Sequence, residues 1–301
     1  MDTLALFLCM TAGVMWASSG IAAQHFFLLS SLSAMDLTVF RMLCTAGIML
    51  CLTVEKGQFR KNMATMKREP RLWGEITFYG IVALMAMHFC YFEAIDLGNA
   101  AVVTVLQYTC PAMVICYLAL SRRAWPDRGS VVAVVLAIGG TFFLATGGHI
   151  DKLSMSAECF VWSMASAVFY AIAAVYPKHL QRKLDNSFLL FWGMLIGGVA
   201  SWFLTDNLNF ADFFHWNLAF DLFVIIFCGT AVAFICYNAG LARLSADQAS
   251  ITTTVEPVAS VLLAYVLFGQ TFGAVEAGGI VMIVLAIAMP ALFRRKGNGR
   301  V

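Results

Sequence analysis

The side chain with the most chemistry at its disposal is Glu256, which lies near the middle of an apolar stretch over 247–268 and is followed by Pro257. A charge at the centre of a membrane helix costs on the order of 2.5–3.5 kcal/mol, so such groups face a cavity or a partner. A carboxyl there can bind a substrate amine, relay a proton or pair with Arg41; it can also serve structure, closing the hydrogen-bond gap that a proline leaves in a helix. Pro111 occupies a matching place in another apolar stretch, with Gln107 and Tyr108 one turn earlier. Mid-helix amides and phenols prefer a bundle interior, where they find partners. Gln107, Tyr108 and Glu256 are therefore candidate substrate ligands, and Pro111 and Pro257 candidate hinges whose freed carbonyls can line a path. Trp16 and Tyr170 sit near mid-span, away from the interfacial belt that usually explains such rings. Cavity wall and core packing both fit them. Tyr237 and Asn238 complete the candidate ligands, and His88 and Arg41 join Glu256 as a candidate ion pair or proton relay. A satisfied core histidine and a snorkelling arginine are the plainer alternatives.

Other chemistries lack their residues. The nine cysteines include no Cys-x-x-Cys pair, so neither a zinc site nor a disulfide framework is signalled. No Gly-x-x-x-x-Gly-Lys-Ser/Thr phosphate loop and no His-Glu-x-x-His pair is present. No cofactor and no metal are expected, and a membrane-embedded enzyme lacks a nucleophile–base set.

The elements that must position these residues are membrane helices. Of 301 residues, 61% are hydrophobic and 12% charged, with mean hydropathy +0.83. Stretches free of Asp, Glu, Lys and Arg run over 3–35, 97–121, 129–150 and 222–242, each longer than the ~18 residues that suggest a spanning helix. Period-2 alternation is missing, so the spans are helices and not barrel strands. Ten are expected, over 3–26, 35–54, 73–93, 98–120, 129–148, 157–176, 187–205, 219–241, 247–268 and 274–293.

The loop charges orient them. With the N-terminus inside, 17 of the 19 basic residues fall on inside segments, including Arg122, Arg123, Arg128, Lys178, Arg182, Lys183 and the tail from Arg294. Only Lys152 lies in an outside loop, and Arg41 lies within a span. That bias places both termini in the cytoplasm. The basic residues are dispersed over five inside segments, which argues for topology and against nucleic-acid binding. Gly193-x-x-x-Gly197 offers a small-residue face that suits helix packing within the chain or a homodimer.

The chain also repeats itself. Pro257 lies 146 residues after Pro111, and the same offset carries Tyr91 to Tyr237, Ala100 to Ala246 and Thr104 to Ser250. An offset of 154 carries Val14, Trp16 and Ala17 to Val168, Tyr170 and Ala171. Two five-helix repeats are expected, 1–150 and 151–301. Five is odd, so the second enters the membrane from the opposite side. Inverted repeats meeting at the midplane are a common secondary-transporter build.

These residues carry a resemblance. Met15-Trp16-Ala17-Ser18-Ser19-Gly20 with Gln24, Phe40-Arg41-Met42, Asn99-Ala100-Ala101 leading to Leu106-Gln107 and Pro111, and Ala249-Ser250-Ile251 leading to Glu256-Pro257 resemble the drug/metabolite transporter superfamily. The likeness is to its EamA-type ten-helix members, in the branch of carboxylate, amino acid and amine transporters. It implies an all-α integral membrane protein of ten transmembrane helices in two inverted five-helix repeats. Spans one, three, four, six, eight and nine would line a central cavity. It further implies export or exchange of small metabolites across a bacterial inner membrane, the partners being a small-molecule substrate, the lipid bilayer and a coupling proton or counter-substrate. Uptake would use the same architecture. The sequence departs from the family in carrying Gly269-Gln270 where a Gly-Glu pair is usual, and Arg122-Arg123 where helix four usually ends in acids.

Overall fold

The computed structural model describes all residues except 1–2, 56, 124, 150–152, 206–207, 242, 245–251, 253–254 and 298–301. Among the described residues the regular structure is helical throughout, and a helix stands at each of the ten expected spans. They are α1 (Thr3–Leu29), α2 (Ala34–Glu55), α4 (Arg71–Asp96), α5 (Ala100–Ser121) and α6 (Arg128–Thr146), then α7 (Ala157–Arg182), α8 (Asn186–Trp202), α9 (Trp216–Tyr237), α10 (Val255–Phe268) and α11 (Ala274–Gly297). Seven are long and apolar enough to cross a bilayer by length and composition, while α8, α10 and the Ala274–Met289 part of α11 are shorter apolar helices.

One element was not foreseen. The basic segment between the second and third spans, expected as loop, contains a short helix, α3 (Phe59–Arg68). Asn62 and Met66 point into the protein while Arg60, Lys61, Lys67 and Arg68 stay outside it, so the segment hides one face and solvates the other.

Helix ends are closed by side chains. Asn99 Oδ1 accepts from the Val102 N–H at 2.8 Å, and Ser156 and Asp127 cap α7 and α6 in the same way. The first N–H of α5 is met from another helix, Gln24 of α1 accepting from Ala100 at 2.8 Å. An unmet N–H there would be costly in hydrocarbon.

The helices pack in a pattern that survives exchange of the two halves. α1 packs on α9 and α10, and its counterpart α7 packs on α4 and α5; α2 packs on α8, and α6 on α11. Lipid supplies no hydrophobic drive between helices, so close contact rests on small residues. A Cβ on Gly140 would come within 2.7 Å of the Gly279 carbonyl oxygen, and one on Gly279 within 2.7 Å of the Gly140 oxygen. Gly193 and Gly197 of α8 meet Gly80 of α4, Tyr79 and Met42. The Gly-x-x-x-Gly face is therefore spent inside the chain and does not offer a dimer surface.

Two local departures from the α-helix stand at the sequence offset of 146. α4 widens into a π-helical segment over Tyr79–Met85 and α9 over Phe223–Val232. Such segments are rare and concentrate at functional sites. The prolines also differ from expectation. α5 is not one kinked helix: Ala100–Gln107 ends at Tyr108 and a new helix starts at Cys110, with Pro111 in its first turn. There a missing N–H costs nothing. Thr109 bridges the break, its hydroxyl donating to the Leu106 carbonyl at 2.7 Å. Pro257 lies in α10, close behind residues 253–254, which are outside the described residues.

Candidate functional site

A cavity of about 410 Å³ lies between the halves. The six spans named by the resemblance all reach it, through Trp16 of α1, His88 and Tyr91 of α4, Gln107 and Tyr108 of α5, Tyr170 of α7, Tyr237 of α9 and Glu256 of α10. α2 and α8 also contribute, through Arg41, Thr45, Asn186 and Leu190. The π-helical segments deliver Tyr79 and Leu84 from one half and Gly229 and Thr230 from the other.

Glu256 is buried on this wall, in the first turn of α10. The Tyr108 hydroxyl donates to its Oε2 at 2.6 Å, joining the break of α5 to the start of α10 across the two halves. The Tyr170 ring stands edge-on to Tyr108, centroids 6.3 Å apart at 88°. Opposite them Trp16 packs edge-on against Tyr237 at 5.2 Å and Phe234 at 6.1 Å. Trp16 and Tyr170 thus form walls of one cavity as well as packing contacts.

Arg41 does not pair with Glu256: among the described residues no ion pair within 4.0 Å joins them. The Arg41 guanidinium instead lies over the Phe92 ring, 5.5 Å from its centroid. A cation–π contact of this kind is worth about 0.5–2 kcal/mol and leaves the five N–H donors of the guanidinium available. The cavity therefore holds a carboxyl and a guanidinium on different helices, neither neutralised by direct contact with the other.

His88 takes a defined tautomer. Its Nδ1 lies 2.7 Å from the Leu84 carbonyl oxygen, which can only accept. Nδ1 must carry the proton, so in the neutral ring Nε2 is an acceptor. Tyr91 is held by Thr104, hydroxyl to hydroxyl at 2.8 Å, in space that exists because residue 20 is glycine; a Cβ there would meet the Tyr91 oxygen at 2.4 Å. Gln107 makes only a long bond, 3.4 Å from Nε2 to Ser166 Oγ. The Asn238 side chain, together with Ala249, Ser250, Ile251, Thr253 and Thr254, lies outside the described residues.

The two ends of the cavity differ. Its wall runs on to Pro177, Gln181 and Asn186 at the α7–α8 turn. At the opposite end the bundle is filled by Phe26, Leu37, Phe92 and Ile95, with Phe213 from the α8–α9 connection. Near that end the His25 Nδ1 meets buried Asp221 at 2.9 Å, joining α1 to α9.

Sequence reasoning did not single out Thr45, Thr230, Asp221 or the π-helical segments. A threonine can bond its own helix backbone and an acid suits a helix start, so residue type alone gave no signal at these positions. No residue type marks a π turn, although its recurrence at the repeat offset is visible once the structure is known.

A family model described as the EamA-like transporter family matches this chain twice, over residues 3–146 and 158–291. An uncharacterized inner membrane transporter of Salmonella typhimurium, YicL, is 29% identical over 288 residues, covering 95% of this chain and 94% of that protein. An uncharacterized transporter of Archaeoglobus fulgidus is 25% identical over 65% of this chain and 69% of its own length. Solute carrier family 35 member F5 of Mus musculus is 27% identical over half of this chain and 31% of that one. One solved crystal structure superposes over 98% of this chain and 99% of its own with a TM-score of 0.67 and 17% identity, a likeness of fold.

Proposed function

Because the chain belongs to the EamA-like transporter family, we propose that it is a secondary carrier which exports or exchanges small metabolites, such as amino acids or related amines and carboxylates, by alternating access around the central cavity. The proposal includes its setting: a bacterial inner membrane, both termini cytoplasmic, and residues 1–150 and 151–301 acting as two inverted halves. The inner membrane is the setting named for YicL of Salmonella typhimurium. The loop charges support the orientation, and the paired π-helical segments and exchangeable packing support the halves.

The observation that carries the reading is the pair of opposite charges held apart in one cavity. Glu256 faces it with one carboxylate oxygen engaged by Tyr108, and Arg41 faces it with no carboxylate within 4.0 Å. A substrate with an ammonium at one end and a carboxylate at the other satisfies both. Trp16, Tyr170 and Tyr237 supply apolar walls for its side chain, and Gln107 and His88 supply a donor and an acceptor at the rim of the same site. The carrier then moves such a molecule by loosening one end of the bundle while tightening the other, driven by a proton or by a counter-substrate, since no nucleotide site is present in the sequence.

The test is counterflow in sealed proteoliposomes, with a panel of labelled amino acids, amines and carboxylates, with and without a proton gradient. Saturable exchange is expected. Glu256→Gln keeps an acceptor for Tyr108 but removes the charge. A charge-assisted hydrogen bond is worth about 1.5–3 kcal/mol, so apparent affinity or rate should fall about tenfold to hundredfold with the thermal unfolding midpoint retained. Unchanged kinetics in Glu256→Gln, or flux that neither saturates nor exchanges, overturns the reading.

A further inference from the structure

A second hollow among the described residues is larger than the polar one. About 830 Å³ lies between the second segment of α5 and the middles of α6 and α7, walled by Ala112, Met113, Cys116, Val134, Ile138 and Val168 among others. The two threonines on its wall have spent their donors: Thr109 donates to the Leu106 carbonyl at 2.7 Å and Thr141 to the Ala137 carbonyl at 2.8 Å. Apart from the hydroxyls of Tyr117 and Tyr176, the rest of the wall is alkyl, aromatic or sulfur-bearing, so it suits an alkyl chain better than a polar metabolite.

The hollow continues toward the α5–α6 turn. A second one, about 410 Å³, shares Cys116 and Val134 with it and ends on Arg123, Trp125 and Pro126. Trp125 is 97% exposed in the protein. An indole in such a place is suited to the headgroup layer, where its body is dry and its N–H is met. Arg123 lines the same hollow and Arg128 follows Trp125 by three residues, both exposed. On this side of the bundle Lys183 bonds Glu69 and His179 bonds Glu75. Arg123 and Arg128 have no carboxylate within 4.0 Å among the described residues, and the nearby Asp127 carboxylate is occupied by the N–H and hydroxyl of Ser130.

We propose that this groove binds one anionic phospholipid of the cytoplasmic leaflet, an acyl chain lying between α5, α6 and α7 and the phosphate on Arg123 and Arg128 beside Trp125. Alkyl walls, an interfacial indole and two unpaired guanidinium groups match the three parts of such a lipid: tail, glycerol level and charged head. Basic residues near a membrane surface add about 1 kcal/mol each toward anionic lipid. The site stands on one face of α7, and Tyr170, Ala173 and Ala174 stand on the other, lining the transport cavity. A lipid seated there would brace the helix that separates the two. The leaflet assignment rests on the proposed orientation; the binding itself does not.

The test uses the purified full-length chain in micelles, titrated with phosphatidylglycerol, phosphatidylcholine or soluble glycerol 3-phosphate, and read by native mass spectrometry and thermal unfolding. One phosphatidylglycerol should be retained about tenfold more tightly than phosphatidylcholine, and glycerol 3-phosphate should not displace it. Arg123 has φ 50, a conformation that asparagine tolerates, so Arg123→Asn with Arg128→Gln removes charge without disturbing the turn. That double variant should bind both lipids equally. Cys116→Trp, which fills the junction of the two hollows from an exposed position, should lower retention of either lipid. Equal binding of both lipids by the unmodified chain, a preference that survives the arginine changes, or displacement by glycerol 3-phosphate overturns the proposal. None of these readouts needs transport activity, so failure of the carrier reading leaves them intact.

Discussion

The two ends of the central cavity are held by different physics. At the end formed by the α1–α2 turn and the α8–α9 connection, Phe213 is inserted between Phe40 and Phe26. Its ring stacks on Phe40 at 4.2 Å and 4°, and on Phe26 at 6.1 Å and 18°. Phe26, Phe92 and Phe213 are all but fully buried there. At the α7–α8 end two half-exposed polar pairs, His179 to Glu75 and Lys183 to Glu69, stand beside a buried cluster of Leu180, Leu184, Phe188 and Met66. Exposed pairs are worth about 0–1 kcal/mol, whereas deleting a buried phenyl group costs about 3–5 kcal/mol. The aromatic stack closes one end of the cavity, and the other end carries its polar pairs beside a buried core of its own. The cavity wall accordingly runs out to the α7–α8 turn and stops short of the aromatic stack.

Phe213→Ala attacks that contrast most strongly. Loss of the ring should destabilise the aromatic end by about 3–5 kcal/mol. Cys159 lies in the same packed cluster, buried, its thiol 3.4 Å from the Ala94 carbonyl. In a variant retaining Cys159 as its sole cysteine, maleimide labelling should be slow with Phe213 present and much faster after Phe213→Ala. Equal labelling would mean that the stack closes nothing. His25→Ala is next in size. It strands the Asp221 carboxyl, which is buried, without its 2.9 Å partner. An unmet buried acceptor costs about 1–3 kcal/mol, and pairing His25→Ala with Asp221→Asn should recover part of the lost thermal stability. A double variant no more stable than His25→Ala alone would show that the pair does not hold α1 to α9.

Sequence and structure part company along the same line. The spans were legible because every one of them must be apolar or cap its own ends. The inward set Trp16, Gln107, Tyr108, Tyr170, Tyr237 and Glu256 was legible because polar and aromatic groups at mid-span have few other places to go. What was not legible depends on the third dimension. Phe213 is one phenylalanine among twenty-five, and only the return of a connecting segment over α1 and α2 makes it a plug. Arg41 and Glu256 are opposite charges in one chain, and pairing them was the economical expectation. The structure keeps them on separate walls because Arg41 lies on Phe92 and Glu256 accepts from Tyr108. Pro111 looked like a kink within a helix, but the chain ends one helix and begins another, which hydrogen bonding by Thr109 makes tolerable in an apolar setting.

The smallest expected effect is at the end away from the aromatic stack, and it has a pH signature. Asp127 caps α6, its carboxylate accepting from the Ser130 N–H at 3.1 Å and from the Ser130 hydroxyl at 2.7 Å. Those bonds favour the ionised form and hold Asp127 below its ordinary value of 3.8. A carboxyl whose folded value is depressed contributes stability above the unfolded value and loses it as pH falls through the folded one. Asp127→Ala should therefore cost about 0.5–1 kcal/mol at neutral pH, the low end of the range for a cap that is largely exposed. The difference from the unmodified chain should be constant above about pH 5 and shrink below about pH 4. If the aromatic end carries the latch, this change lowers the unfolding midpoint slightly and leaves Cys159 labelling where it was. A rise in Cys159 labelling with Asp127→Ala would mean that the two ends are coupled in the resting state and that the contrast between them is not local.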